Sequence, residues 1–164
     1  EKQLSNSKVV GIGEIGLEDL TECEIDVFKK QLDIADETKS KVIIHTPRKN
    51  KKEVLDVILD IVPEHLNEKQ AVIDHINLDI IDDVIDKDYM LGLTIQPQKL
   101  DTAETISILE EYGFDNFLLN SDMSNKPSDP LSVPKTIREL KRLGFKDSLI
   151  EKVARKNAQS YFKI

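Results

Sequence analysis

Four polar residues stand at matching points of this chain. Glu14, His45, His75 and Asp122 each close a short apolar run, in GIGE, KVIIH, AVIDH and FLLNSD, at separations of 31, 30 and 47 residues. Two imidazoles and two carboxylates are the ligand types that suit zinc, manganese, nickel or iron. Gathered in one place, they would hold such an ion, lower the pKa of a bound water and direct hydroxide at a phosphoryl or carbonyl centre. Taken singly, a histidine at a strand end is more often a structural residue, and an aspartate there serves to cap a turn. The recurrence at one topological position carries the metal reading.

The elements that must position these residues follow from the apolar pattern. Lys8–Gly13, Lys41–His45, Gln70–His75, Tyr89–Ile95 and Asn116–Asn120 are apolar, β-branched and too short for helices, and they read as five strands. Between them lie helical patterns. Thr21 and Glu24 form a capping box before Ile25, Phe28, Leu32 and Ala35; Val54, Leu55, Ile58 and Ile61 share one face of a helix that Pro63 ends. Asn77 caps a short helix bearing Ile81, Val84 and Ile85, and an Asp101/Glu104 box opens a helix that Gly113 stops. A polar loop, residues 121–130, leads to two final helices capped by Ser132 and Asp147, the second running to about Phe162. Strands alternating with helices predict an α/β chain with a parallel sheet, one domain over residues 1–164. The near-continuous apolar strands predict a sheet covered on both faces. In such a sheet all C-terminal strand ends share one side, so the four polar residues converge there.

Other features weigh less. Gly11, Gly13 and Gly16 spell G-x-G-x-x-G, the dinucleotide fingerprint, but Glu14 would put a carboxylate where pyrophosphate should sit, and His45 stands where a ribose-binding acid is needed. Arg48, Lys49, Lys51 and Lys52 crowd the start of a helix, where cations are unfavourable. A solvated basic run is the plain reading for the lysines; Arg48, three residues past His45, is the candidate substrate-binding residue, with Lys99 a second. Cys23 reads as an inert thiol and His65, after Pro63, as a solvated surface residue. A single cysteine suits a reducing, cytoplasmic setting. The net charge of −8 over 164 residues argues against a strong duplex-DNA surface but leaves room for a small anionic substrate in a local cationic pocket. No apolar run approaches the ~18 residues of a membrane span.

The segments GIGEIGLE, VIIHTPR, VIDHIN, LLNSDMS and KVARKNAQSYFKI together resemble the TatD family of metal-dependent hydrolases, within the amidohydrolase superfamily of (β/α)8 barrels. VIDHIN, GLTIQPQKL and LLNSDMSNKPSDP look most like its archaeal TatD-related branch. The resemblance implies that Glu14 bridges two divalent ions (Zn, Mn, Mg, Ni or Co), that His45 and His75 complete one site, and that Asp122 ligates the other ion and acts as general base. It implies phosphodiester hydrolysis, DNase-like, with a small amide or ester as the alternative substrate and a catalytically silent metal-binding module as the alternative role. It further implies an H-x-H pair that does not occur here, and that the Glu of GEIGLE belongs to the fourth of eight strands. The expectation is therefore a partial TIM-type barrel, the C-terminal portion with about three βα units missing. Such a portion would hold one ion or none, turn over poorly, and associate with itself through open barrel edges. Asn120-Ser121-Asp122-Met123 and His75-Ile76-Asn77 depart from the family's usual residues at those places, which bears on the DNA substrate more than on the metal.

Overall fold

The structure, a computed structural model, describes residues 3–4, 6–123 and 126–164. Five parallel strands form one sheet in chain order: β1 (Gly11–Gly16), β2 (Lys41–His45), β3 (Ala71–Asp74), β4 (Met90–Thr94) and β5 (Phe117–Asn120). Helices α1 (Glu22–Glu37), α2 (Lys51–His65) and α3 (Thr102–Tyr112) fill crossovers, and α4 (Ser132–Arg142), α5 (Asp147–Glu151) and α6 (Asn157–Phe162) close the chain. Both capping boxes form as expected. Thr21 accepts from the Glu24 N–H, Asp101 accepts from the Glu104 N–H, and each glutamate reaches back to its cap's N–H. Phe28, Leu32 and Ala35 of α1 and Val54, Leu55 and Ile58 of α2 pack with Val42, Ile44 and Ile73 of the strands in one apolar core.

The first strand starts three residues later than the apolar pattern predicts. Val9 and Val10 have no partner on β2, whose pairing begins at Gly11↔Lys41. The register then slips: Ile12 pairs Val42, but Ile15 pairs Ile44, so β1 carries one extra residue. This bulge is what aims Glu14. In a regular strand Glu14 would share the face of Ile12, which packs on the core. With the extra residue Ile15 takes that face, 6% exposed, and Glu14 turns to the opposite one with Gly16 and its partner His45. Glu14 thus lies inside the strand rather than past its end. Gly11, Gly13 and Gly16 likewise lie inside β1 and not in a strand-to-helix turn.

Coverage of both sheet faces holds only in the centre. Every residue of β3 is buried, and all of β4 but Met90, whereas β2 alternates buried Val42 and Ile44 with half-buried Lys41, Ile43 and His45, and β1 and β5 are open on the same side. Three helix boundaries also differ. Helix α2 runs through Pro63 to His65, its last turn closed by Leu66 N–H on the Val62 carbonyl and tied to α1 by a 2.7 Å hydrogen bond between His65 Nδ1 and Asp33 Oδ1. His65 is therefore a helix–helix tether rather than a solvated loop residue. After β3 no α-helix forms; a single 3-10 turn, Ile81–Asp83, stands there, because the segment is built of isoleucines and aspartates, weak helix formers. Asn77 does not cap it, its Nδ2 donating instead to Asp79 Oδ2. Ser132 and Asp147 are first helical residues rather than caps; Asp129 takes the Leu131 N–H ahead of α4. The final helix is broken by a π turn, Lys152–Lys156, between α5 and α6. Within the polar loop, Ser124 and Asn125 lie outside the described residues.

Candidate metal centre

The parallel register delivers the polar residues to one end of the sheet. His45 is the last residue of β2 and His75 follows β3; Glu14 sits in the β1 bulge, and Asp122 lies two residues past β5. Glu14, His45, His75 and Asp122 all line one open cavity of about 500 Å3, together with Glu18, Thr46, Arg48 and Lys99.

His75 is the most constrained of these. It is 6% exposed and takes a left-handed backbone, φ 63°. Its Nδ1 lies 2.7 Å from Thr94 Oγ1, and that hydroxyl lies 3.2 Å from Asp74 Oδ1. Thr94 has one proton to give and the carboxylate can only accept, so the chain runs His75 Nδ1–H to Thr94 to Asp74. The remaining nitrogen, Nε2, faces Glu14 Oε1 at 3.0 Å. A lone pair on Nε2 and a carboxylate oxygen at that distance require a cation between them. The hydrogen bond with His75 is the largest influence holding the Glu14 carboxyl below its ordinary value, with His45 and Lys99 acting in the same sense against burial. A histidine locked through its far nitrogen, opposite a carboxylate, is the donor arrangement a divalent ion requires. Burial lowers the pKa of His45 in spite of Glu14 and Glu18 beside it, which favours the neutral ring that ligates metals. The two imidazoles stand edge to face, centroids 6.2 Å apart. The residues present fit a divalent metal.

Asp74 is the residue the sequence reading missed. Its carboxylate, with Glu14 and His75, places ligand atoms within 4.8 Å of one another, whereas His45 and Asp122 are outside that group. Asp74 Oδ1 receives the His75 N–H at 2.7 Å and Asn120 Nδ2 at 2.9 Å as well as the Thr94 hydroxyl. So loaded, it anchors the histidine. The signal was present: Asp74 is an ionisable residue within an otherwise apolar run, and such a group is buried only with partners. Gly92 makes room for it, since a Cβ there would lie 2.0 Å from Asp74 Oδ1; Gly16 does the same for the His45 ring, with a Cβ 2.2 Å from Cδ2.

A second network holds the cavity's other side. Lys99 Nζ pairs with Asp122 Oδ2 at 2.7 Å, Gln96 Nε2 donates to the Asp122 carbonyl at 2.7 Å, and Arg48 Nη2 donates to Gln96 Oε1. Lys51, expected in a solvated run, is half-buried; its ammonium donates to Thr46 Oγ1 at 2.6 Å and the His75 carbonyl at 2.9 Å. Burial, with Lys99 and Arg48 nearby, pushes it down to about 8.

Parallel strands with outer helices and a polar cluster at the strands' C-terminal ends define a TIM-like α/β architecture with its site in the customary place. The family model described as TatD related DNase matches residues 1–163, and the chain belongs to that family. An uncharacterized metal-dependent hydrolase of Methanocaldococcus jannaschii is 39% identical over 163 residues, 98% of this chain and 64% of that protein. The crystal structure of a TatD-like protein from Archaeoglobus fulgidus superposes with a TM-score of 0.79 at 34% identity, covering 99% of this chain and 64% of that one. A phosphotriesterase homology protein from Escherichia coli, complexed with phosphate in its active site, shares the fold at a TM-score of 0.76 and 17% identity, over 94% of this chain and 60% of that one. The chain thus spans just under two thirds of the length of these relatives. Among the described residues no helix is long and apolar enough to cross a membrane.

Proposed function

We propose that this chain carries the catalytic rim of a metal-dependent phosphodiester hydrolase. Its five strands are read as the last five of an eight-stranded barrel, so the activity belongs to the whole protein. Glu14, His45 and His75 would hold a divalent ion. Bound there, the ion would acidify water and polarise a phosphoryl oxygen. Asp122 is the carboxylate of the cavity suited to take up the proton released in the attack. Arg48, exposed at the mouth and oriented by Gln96, would bind the phosphate oxygens as a fork of donors.

The observation that carries this reading is the pairing of His75 Nε2 with Glu14 Oε1, with Nδ1 secured behind it by Thr94. Favouring an anionic ester over a neutral amide is the presence of Arg48 and Lys99 on one cavity of an acidic protein, with the Lys51 ammonium behind it on the His75 carbonyl. The test is calorimetric titration of the chain with Mn2+ and Zn2+, followed by hydrolysis of bis-p-nitrophenyl phosphate and of a p-nitroanilide. Metal binding lost in His75→Ala, with any turnover confined to the phosphodiester, is the expected result. A chain that binds no divalent ion would refute the proposal, and selective anilide cleavage would reassign the substrate.

A further inference from the structure

Charge is unevenly spread along this chain. Residues 132–164 hold nine lysines and arginines against three acids, a surplus of six in a protein whose net charge is −8. Helix α4 shows where much of that surplus stands. Ser132, Thr136 and Leu140 form its buried stripe, and its exposed positions are Pro134, Lys135, Arg138, Lys141 and Arg142. Apart from the proline, the outward face of α4 is cationic throughout. Lys141 and Arg142 complement the helix dipole in the last turn, but Lys135 and Arg138 stand too early for that. Like charges three and four residues apart repel, so the face is suited to a counter-charge from outside. Asp129 answers Lys135 and Glu139 answers Arg142, whereas Arg138 and Lys141 form no ion pair among the described residues. From Lys135 to Arg142 the helix rises about 10 Å, over which a nucleic-acid strand presents about three phosphates.

Beside this face, α3 and α4 bound a groove of about 410 Å3. Its apolar lining is Ala103, Ile106 and Leu143, the last 50% exposed, and its cations are Lys135 and Arg138. Its acid, Glu139, is held by Arg142. Cations beside apolar surface suit a ligand that is anionic along one side and apolar along the other. A single strand with its bases turned out is such a ligand, while a duplex keeps its bases inside. Thr102 and Lys135 also line a neighbouring cavity of about 470 Å3, and Lys99 is common to that cavity and the metal cavity. The depressions thus adjoin one another from the groove to the candidate metal centre. In the middle one, Asp101 and Glu104 are engaged in their capping box and Asp129 with Lys135 and the Leu131 N–H. Ser132 Oγ is buried there without a hydrogen-bond partner, a hydroxyl able to meet a sugar.

We propose that the groove between α3 and α4, with the cationic face of α4, is a docking surface for single-stranded nucleic acid outside the metal cavity. Lys135, Arg138, Lys141 and Arg142 meet its phosphates, and Ile106 and Leu143 meet its bases. The choice of ligand rests on the phosphodiester reading above; the binding itself needs no metal.

The experiment is fluorescence anisotropy of a labelled single-stranded oligothymidylate titrated with the 164-residue chain in the presence of a chelator, between about 50 and 200 mM salt. The chain should bind, with log K falling against log salt at a slope of about −2 to −3, the mark of three or four neutralised phosphates on a single strand. Arg138→Gln/Lys141→Gln should weaken binding roughly ten-fold at the lowest salt and make the slope shallower by about 1.4. Leu143→Ser should lower the affinity and leave the slope. Lys30→Gln/Lys87→Gln removes the same charge from other exposed positions and should leave the slope as it was. All these side chains are exposed, and circular dichroism verifies folding. No binding, an equal loss in both glutamine pairs, or tighter binding of a duplex overturns the inference. So does a low-salt dimer in place of oligonucleotide binding, abolished by Arg138→Gln/Lys141→Gln, which would make this face an interface between copies. With metal chelated, none of these outcomes bears on the metal centre, and a chain that binds no divalent ion in calorimetry leaves this surface standing.

Discussion

Thr94 and His75 are joined side chain to side chain: the hydroxyl of one lies 2.7 Å from Nδ1 of the other, and this contact decides which nitrogen of His75 faces Glu14. Thr94→Val keeps the shape and deletes the acceptor. Loss of such a partner behind a ligating histidine lowers metal affinity roughly ten- to a hundred-fold. Calorimetry with Mn2+ measures it, and Thr94→Ser should restore most of the loss. An unchanged affinity in the valine variant would mean that packing alone orients the ring.

Gly92 is required by the Asp74 carboxylate rather than by its own backbone. Since an added Cβ would fall 2.0 Å from Asp74 Oδ1, Gly92→Ala must displace that carboxylate and the donors around it. We expect a loss of about 1–3 kcal/mol in urea unfolding, the usual range for overpacking, together with weaker metal binding. Full stability in this variant would show that β4 yields more readily than a buried strand should.

Metal should stabilise the fold by mass action. At a free concentration 100 times its dissociation constant, Mn2+ adds about 2.7 kcal/mol to the free energy of unfolding. The melting temperature should rise on adding Mn2+ and return with a chelator, and Glu14→Gln or His75→Ala should abolish the rise. A shift of equal size in either variant would place the ion elsewhere.

The first capping box gives a pH test with a definite sign. Glu24 Oε2 receives the N–H groups of Thr21 and Asp19 and the Thr21 hydroxyl, and the Thr21 N–H is the largest influence lowering its pKa below 4.5 in the folded protein. A carboxyl depressed on folding contributes stability above its unfolded value and loses it as pH falls through the folded value. The melting temperature of Glu24→Gln should therefore lie below the parent's at pH 7, and the gap should close under acid. A gap independent of pH would assign the box's effect to geometry rather than charge.

Much of this was legible in the sequence. The bounds of β2, both capping boxes and the Gly113 stop are local signals that the tertiary structure had no cause to override. The arrival of His45, His75 and Asp122 at one cavity follows from parallel topology and spacing, whereas that of Glu14 also needs the bulge. What escaped is non-local. Nothing within the segment 8–16 tells that β1 slips one residue against β2, because the slip exists only in the pairing. The anchoring role of Asp74 depends on Thr94 and Asn120, 20 and 46 residues away, and the continuation of α2 past Pro63 depends on Asp33. The helix expected after His75 failed where composition and apolar periodicity disagreed, and composition prevailed.

The bulge in β1 makes the site sensitive to arithmetic as well as to chemistry. A chain lacking Gly13 would keep every candidate ligand and every glycine that shelters one, yet its first strand would run in even step with the second. The carboxylate of GIGEIG would then stand opposite Ile43, still on the face of His45, while Ile12 and Ile15 kept their places toward the core. For this protein the extra codon sets how far along the rim the carboxylate stands and at what angle it meets the imidazoles, because it lets Gly13 and Glu14 together stand against one residue of β2.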